Sequence, residues 1–311
     1  MNSIKGIILF VLFSLGFYLA LMFGLSKVEY KGASMIIQTN DFYFKKGGDT
    51  YEKFKSFKRN ELHDIVFVGS SRCYRHYNPD YFGKGKLNNW NLGTSAQIMR
   101  NSKLVIEGYL TKENCKLIVL DLFPAAFNTP GLESSADLIT NASKNNVAFQ
   151  VAWGMKDSRA LNLMVNRYLT LSNPPSFQNE DYVGKGFCAH YDTIKKNASF
   201  QTDKMIQELE INEEQLKVLL DIIKYCKQEE VKLALVISPS SNYFHEQTYL
   251  EFLDVILPIV EAYDIPFFDY AKNHSLKTTE HFYDDSHMNI EGVKIFNERF
   301  YQDLKKANLV E

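Results

Sequence analysis

The chain has 311 residues, with 35 Lys and Arg against 37 Asp and Glu and a formal net charge of -2. That balance provides no basic field for a nucleic-acid partner, and the length allows one large α/β domain or two smaller ones around a sizeable core. The cysteines, Cys73, Cys115, Cys188 and Cys226, stand far apart with no CxxC or Cys/His ligand spacing, which argues against structural zinc. Cys115 and Cys226 lie in or beside apolar runs, where a buried free thiol is expected; no disulfide pairing can be read from the sequence.

The chain opens on GIILFVLFSLGFYLALMFGL, Gly6 to Leu25, a run without a charge and as long as a helix crossing a hydrocarbon layer of about 30 Å. It is too long for the apolar region of a cleaved signal peptide, and no small-x-small site follows. Residues 1–25 therefore read as a transmembrane anchor. Lys5 precedes the run while Lys27, Lys31 and Lys45 follow it, a bias that weakly favours a cytoplasmic body but is too small to hold back a large following domain. Residues 26–60, mixed and lysine-rich with Gly47-Gly48 in the middle, read as a membrane-proximal connector.

Beyond it, apolar runs bounded by turn residues recur at Asp64–Val68, Leu117–Leu122, Val231–Ile237 and Ile265–Phe268. Runs apolar on both faces and rich in Val, Ile and Phe are the mark of buried parallel strands. Helical patterns alternate with them at Ala96–Leu110, Asn212–Glu229, Gln247–Tyr263 and Asn289–Lys305. The second carries Leu216, Leu219, Leu220, Ile223 and Cys226 as an apolar stripe. Strand alternating with helix predicts a doubly wound, three-layer α/β/α sandwich over residues 61–311. The rhythm breaks at about 125–211, too long for an ordinary crossover. This reads as an insertion shaping the substrate cleft as a lid or specificity region, with a helix near Ser158–Leu171, the Pro174-Pro175 turn and the loop DYVGKGFCAHYDT.

Two stretches carry candidate chemistry. In DIVFVGSSRCYRHYNP, residues 64–79, Gly69-Ser70-Ser71 falls at the carboxyl end of the first strand, where open parallel sheets bind ligands. Either serine could cap a following helix; equally, a serine there could act as nucleophile beside free helix N–H groups. In HFYDDSHMNIEGVKIF, residues 281–296, Asp284 and His287 precede a helix that Asn289 can cap. They are either a solvated turn or a general base oriented by a carboxylate, as a serine nucleophile requires.

Gly-x-Ser after the first strand, Asn91-Leu92-Gly93 some twenty residues on and Asp284-x-x-His287 near the carboxyl terminus together resemble the SGNH/GDSL hydrolase superfamily of esterases, lipases and acyltransferases. The resemblance implies a flavodoxin-like parallel sheet, Ser71 as nucleophile, His287 as general base and Asp284 as the group fixing its tautomer. It further implies an oxyanion hole from the N–H groups of Ser71 and Gly93, with Asp285 a bystander. One block departs from the pattern: where the superfamily offers Gly-x-Asn-Asp, this chain reads VLDLFPAAF, and the loss of one oxyanion donor costs about 3 kcal/mol of transition-state stabilisation. Asp121, in that block, is a candidate for orienting the site.

That departure, with a single amino-terminal span and a long insertion, looks like the membrane-anchored branch that handles envelope polymers, such as the proteins of teichoic-acid D-alanylation and alginate O-acetylation. The resemblance implies a serine esterase or O-acyltransferase acting on an envelope or exported polysaccharide. It would work outside the cytoplasm beside a membrane-bound O-acyltransferase, with no metal or cofactor. Arg72, Arg75 and His76 form either a basic cluster at the cleft mouth that holds an anionic or hydroxyl-rich glycan or a solvated surface, and Asn91 and Asp121 are further candidate substrate contacts. The competing expectation is a non-catalytic component that uses the fold to bind glycan or to organise an acylation system. A phosphate cradle at Gly69–Arg72 is a weaker third reading, since its glycines are too few for a P-loop and it leaves Asp284 and His287 unexplained.

Overall fold

The structure, a computed structural model, describes residues 2–30, 33–35, 45–128, 130–194, 211–241, 246–272 and 274–311. Parts of the connector and of the insertion lie outside these. Helix α1 (Asn2–Lys27) is apolar and exposed along most of its length, and its segment Ile4–Lys27 is long and apolar enough to cross a membrane. A short hairpin, β1 (Glu29–Tyr30) with β2 (Ala33–Ser34), follows it. Helix α2 (Gly48–Ser56) comes next. Its Phe54, with the following Phe57, is buried in the main core. The membrane-proximal stretch up to residue 60 is therefore in part a packed piece of the body rather than a connector.

The central sheet takes β3 (His63–Val68), β4 (Asn89–Asn91), β5 (Cys115–Asp121), β8 (Lys232–Ile237) and β9 (Phe267–Asp269) in the order β4-β3-β5-β8-β9, every pair parallel. Alternate residues of the inner strands enter two cores because a strand points successive side chains to opposite faces. Val66, Val68, Ile118, Leu120, Leu235 and Ile237 pack toward α4 (Met99–Tyr109), α8 (Glu213–Gln228) and α9 (Glu246–Tyr263). On the other face, Ile65, Phe67, Leu117, Val119, Ala234 and Val236 pack toward α3 (Ser71–His76) and α11 (Ile290–Lys306). This is the three-layer sandwich expected from the sequence.

Predicted helix boundaries shift where a cap or turn intervenes. The helix read from Ala96 begins at Met99, because Ala96 takes φ 45° and Ile98 is extended. Asn212 and Asn289 stand outside their helices as caps, accepting the N–H groups of Glu214 and Gly292. The insertion differs more. Its helices α5 (Leu132–Asn141), α6 (Asn145–Gly154) and α7 (Ser158–Leu169) bury Leu138, Ile139, Val147, Val151 and Leu163 in the main core. Among its described residues, Ala125, Ala126, Glu133 of α5 and His190, just beyond the hairpin of β6 (Tyr182–Gly184) with β7 (Phe187–Cys188), line the cleft.

Candidate active site

Strand β3 is followed by Gly69, whose φ of 156° and crowded surroundings suit glycine. A Cβ there would lie 3.0 Å from the Cβ and carbonyl oxygen of Asp121 and from the Cβ of Cys73. Ser70 then takes the N-cap position of α3 without a side-chain capping bond, and its buried Oγ has no hydrogen-bond partner among the described residues. Ser71 is the first residue of the helix, so its N–H has no acceptor within it.

On the far side of the cleft, the short α10 (Thr278–His281) leads into the loop before α11. There Asp284 Oδ1 accepts the backbone N–H groups of Ser286 and His287 at 2.9 and 2.7 Å. Its carboxylate faces Nδ1 of His287 at 2.9 and 3.1 Å, and Nε2 of His287 is 2.9 Å from Ser71 Oγ. Burial alone would raise the pKa of Asp284, but the bonds from the His287 ring, its charge and the two loop N–H groups outweigh it and bring the value down to about 2. An ionised Asp284 places the ring proton on Nδ1 and leaves Nε2 to accept from the Ser71 hydroxyl.

Because the folded pKa of Asp284 lies below its ordinary 3.8, its contribution to stability is complete above about pH 4 and fades as the pH falls toward about 2. Asp284→Asn is accordingly expected to cost stability at neutral pH, with the gap to wild type closing over that acid window in denaturant melts. A gap independent of pH would refute the assignment.

Several predicted contacts have other duties. Arg72 is 1% exposed. Its Nη2 donates to the carbonyl oxygens of Ser238 and Pro239 at 2.5 and 3.0 Å and to Ser238 Oγ at 3.1 Å, and its Nη1 to Ser240 Oγ at 2.9 Å. It ties α3 to the chain after β8 and is not among the residues that line the cleft. Asn91 is fully buried; its Nδ2 donates to the carbonyls of Cys73 and Tyr77, while its Oδ1 accepts the N–H of Gly93 at 2.9 Å. The N–H assigned to an oxyanion hole is thus engaged by a side chain two residues earlier. Gly93 has a packing role, since a Cβ would approach the Cβ of Cys73 to 2.8 Å. Asp121 is buried and accepts the Tyr77 hydroxyl at 2.7 Å, away from the cleft.

Of the proposed substrate contacts, Arg75 is the one that lines the cleft, a cavity of about 480 Å³ shared with Ser71, His287 and Asp284. It faces Asp181 at 3.4 Å. The cleft also takes in residues to which the sequence reading assigned no role: Tyr74, Ser95, Gln97, Phe123, Glu133, His190 and Tyr283. His190 stacks on Tyr283 at 3.7 Å between ring centres. Burial and the charge of Arg75 push its pKa down to about 4 against the pull of Asp181, so the ring is neutral at neutral pH. Both residues belong to stretches singled out in the sequence, but nothing in their spacing says that the two loops meet.

Beneath the loop, buried His76 accepts the Met288 N–H on Nε2 at 3.1 Å, which leaves Nδ1 to donate to Ser238 Oγ at 2.9 Å. Behind the cleft, Lys53 of α2 is wholly buried, with Nζ 2.9 Å from Asp49, 4.4 Å above the Tyr74 ring and donating to the Gly93 carbonyl at 2.5 Å. Burial would depress its pKa, but Asp49, together with the neighbouring Cys188 and Asp137, more than offsets this and holds the ammonium charged. Among the described residues, no cluster of three or more His, Cys, Asp or Glu is placed to hold a metal ion.

With the parallel sheet in place and two of the three sequence blocks, Ser71 and Asp284-x-x-His287, facing each other across one cleft, the chain has the arrangement that its resemblance to the SGNH/GDSL superfamily implies. Among solved structures it is similar to a GDSL-like lipase from Bacteroides thetaiotaomicron, at 13% identity over 80% of this chain and 89% of that chain, with a TM-score of 0.40. It is similar also to a protein described as an acylhydrolase from Bacteroides fragilis, at 12% identity over 78% and 86% of the two chains, TM-score 0.41. An acetyl xylan esterase aligns at 12% identity over 78% of this chain and 98% of its own, TM-score 0.39. No protein-family model and no curated protein sequence matches the chain.

Proposed function

We propose that this chain is a membrane-anchored serine ester hydrolase or O-acyltransferase of the SGNH type, acting on acyl groups of an envelope or exported polysaccharide. The observation that carries the reading is the unbroken line from Asp284 through the His287 ring to Ser71 Oγ, with 2.9 Å at each step. Ser71 Oγ attacks the ester carbonyl carbon as its proton passes to His287 Nε2, and the N–H of Ser71 at the start of α3 faces the developing oxyanion. The tetrahedral intermediate collapses to acyl-Ser71, and the leaving alkoxide takes the proton from His287. Water or a sugar hydroxyl then gives its proton to His287 and attacks the acyl-enzyme, and as that intermediate collapses His287 returns the proton to Ser71 Oγ, releasing acid or a new ester. Helix α1 holds the body at the outer face of the membrane, beside a membrane-bound O-acyltransferase. The test is a fluorophosphonate probe on the full-length chain: it is expected to label wild type and not Ser71→Ala, and an unlabelled wild type would count against the reading.

A second reading, a non-catalytic glycan-binding or scaffold component, is favoured by one observation: the Gly93 N–H is engaged by Asn91 while the third block supplies Phe123 and Ala125 to the cleft in place of an asparagine. It requires Ser71→Ala to sustain biological function, and failure of that variant to complement a deletion would exclude it.

A further inference from the structure

Helices α6 and α7 present a largely apolar edge to the outside, with Asp157 at the N-cap of α7 paired to Arg159 at 2.7 Å. Helix α6 carries no ionisable residue and α7 no acidic one. Phe149 and Trp153, four apart on α6 and so on one face, are 51% and 69% exposed with their rings stacked. On α7, Leu161 and Tyr168 are 42% and 56% exposed, and Leu171 just beyond it is 48% exposed. Large rings and aliphatic chains left in water at this density mark a surface that something covers.

What covers it is indicated by α1. The Tyr18 hydroxyl donates to Asn162 of α7 at 2.7 Å, and Met22, one turn on along the same face of α1, is 5% exposed. Tyr18 lies nine residues before the end of the helix at Lys27, roughly 13 Å along the axis at about 1.5 Å per residue. With Leu25 at the edge of the hydrocarbon layer Tyr18 lies about 10 Å inside it, so a helix that spans the bilayer while held to α7 there brings the α6–α7 edge down to the headgroup–acyl boundary, where Trp and Tyr concentrate. Beside Leu171, a recess of about 280 Å³ is lined by Lys46 and Lys55 and by no carboxylate; Lys46 Nζ donates to the carbonyls of Leu171 and Asn173, and the Arg167 guanidinium in the wall donates to those of Ile139, Thr140 and Ala142, so the cationic lining is complementary to anionic headgroups chiefly through Lys55 and Lys46.

We propose that the α6–α7 edge is a membrane-docking face: the bilayer that holds α1 also receives Trp153, Phe149 and Tyr168, with anionic headgroups over the Lys46–Lys55 recess. The proposal rests on the reading of α1 as an anchor. It fixes the cleft against the membrane as well as tethering it there.

The experiment uses the full-length chain with Trp90→Phe, which leaves Trp153 as its only tryptophan, reconstituted into phosphatidylcholine vesicles with or without phosphatidylglycerol. Trp153 emission is expected to be blue-shifted, to be largely lost when the lipids carry bromine near the top of the acyl chains, and to resist acrylamide. The quenching should deepen with phosphatidylglycerol, and Lys46→Gln with Lys55→Gln should abolish that increase. Trp153→Phe supplies the Trp90 background by difference, so the measurement stands even if Trp90→Phe folds poorly. A chain that resists alkaline carbonate extraction but whose Trp153 is quenched by acrylamide and untouched by brominated lipid overturns the docking face and leaves the anchor intact. Release by carbonate overturns the anchor and the face together. Equal quenching in the two lipid mixtures overturns the headgroup recess.

Discussion

Ser71→Ala is expected to lower the rate of hydrolysis of an activated ester such as p-nitrophenyl acetate by about 10⁴-fold or more, the scale on which loss of the nucleophile acts in a triad. The hydroxyl makes one described side-chain bond, to His287 Nε2, and alanine is well accepted at a helical position. The fold should therefore be unchanged, and the lost rate is lost chemistry. Initial rates in detergent, with thermal melts of both proteins, check this. A Ser71→Ala protein that retains the wild-type rate would remove Ser71 from the mechanism.

The second large effect concerns stability. Arg72→Met removes a guanidinium that is 1% exposed and bonds two carbonyl oxygens and two serine hydroxyls after β8. Breaking a buried charged network by deleting one partner costs about 3–5 kcal/mol, because the acceptors it leaves have no water in reach. Guanidinium chloride melts should show that loss. The ester rate should fall as well, since Nη1 also reaches the carbonyl of Ser286, the neighbour of His287. An unchanged midpoint would mean that the segment 238–240 is held some other way.

The sandwich was legible in the sequence because its strands are buried on both faces and its helices carry clean apolar stripes, patterns local enough to read without a partner. Ser71, Asp284 and His287 were legible for a different reason: an ordered set of short blocks marks them. Whether a polar residue beside such a block faces the cleft or the interior was not legible. Arg72 and Arg75 are three apart on one short helix, yet the first is sealed under Ser238–Ser240 while the second reaches Asp181 at the cleft. Which way each turns is decided by chain some hundred residues or more away. Asn91 and Gly93 carry the same lesson: the spacing that suggested an oxyanion donor is also the spacing of a side chain capturing the N–H two residues on. The exposed edge of α6 and α7 could not be foreseen either, because an apolar residue in an insertion reads equally well as core.

The burial of Lys53 bears on where the body of the protein starts. Its charged end supports the carbonyl of Gly93 and is balanced by Asp49, and Gly47 just ahead donates its N–H to Asn141 of the insertion at 2.9 Å. Cutting the chain at residue 61 would take this cation out of the wall behind Tyr74 and unpack Phe54 from the core. The stretch from Lys45 to residue 60 therefore travels with the cleft.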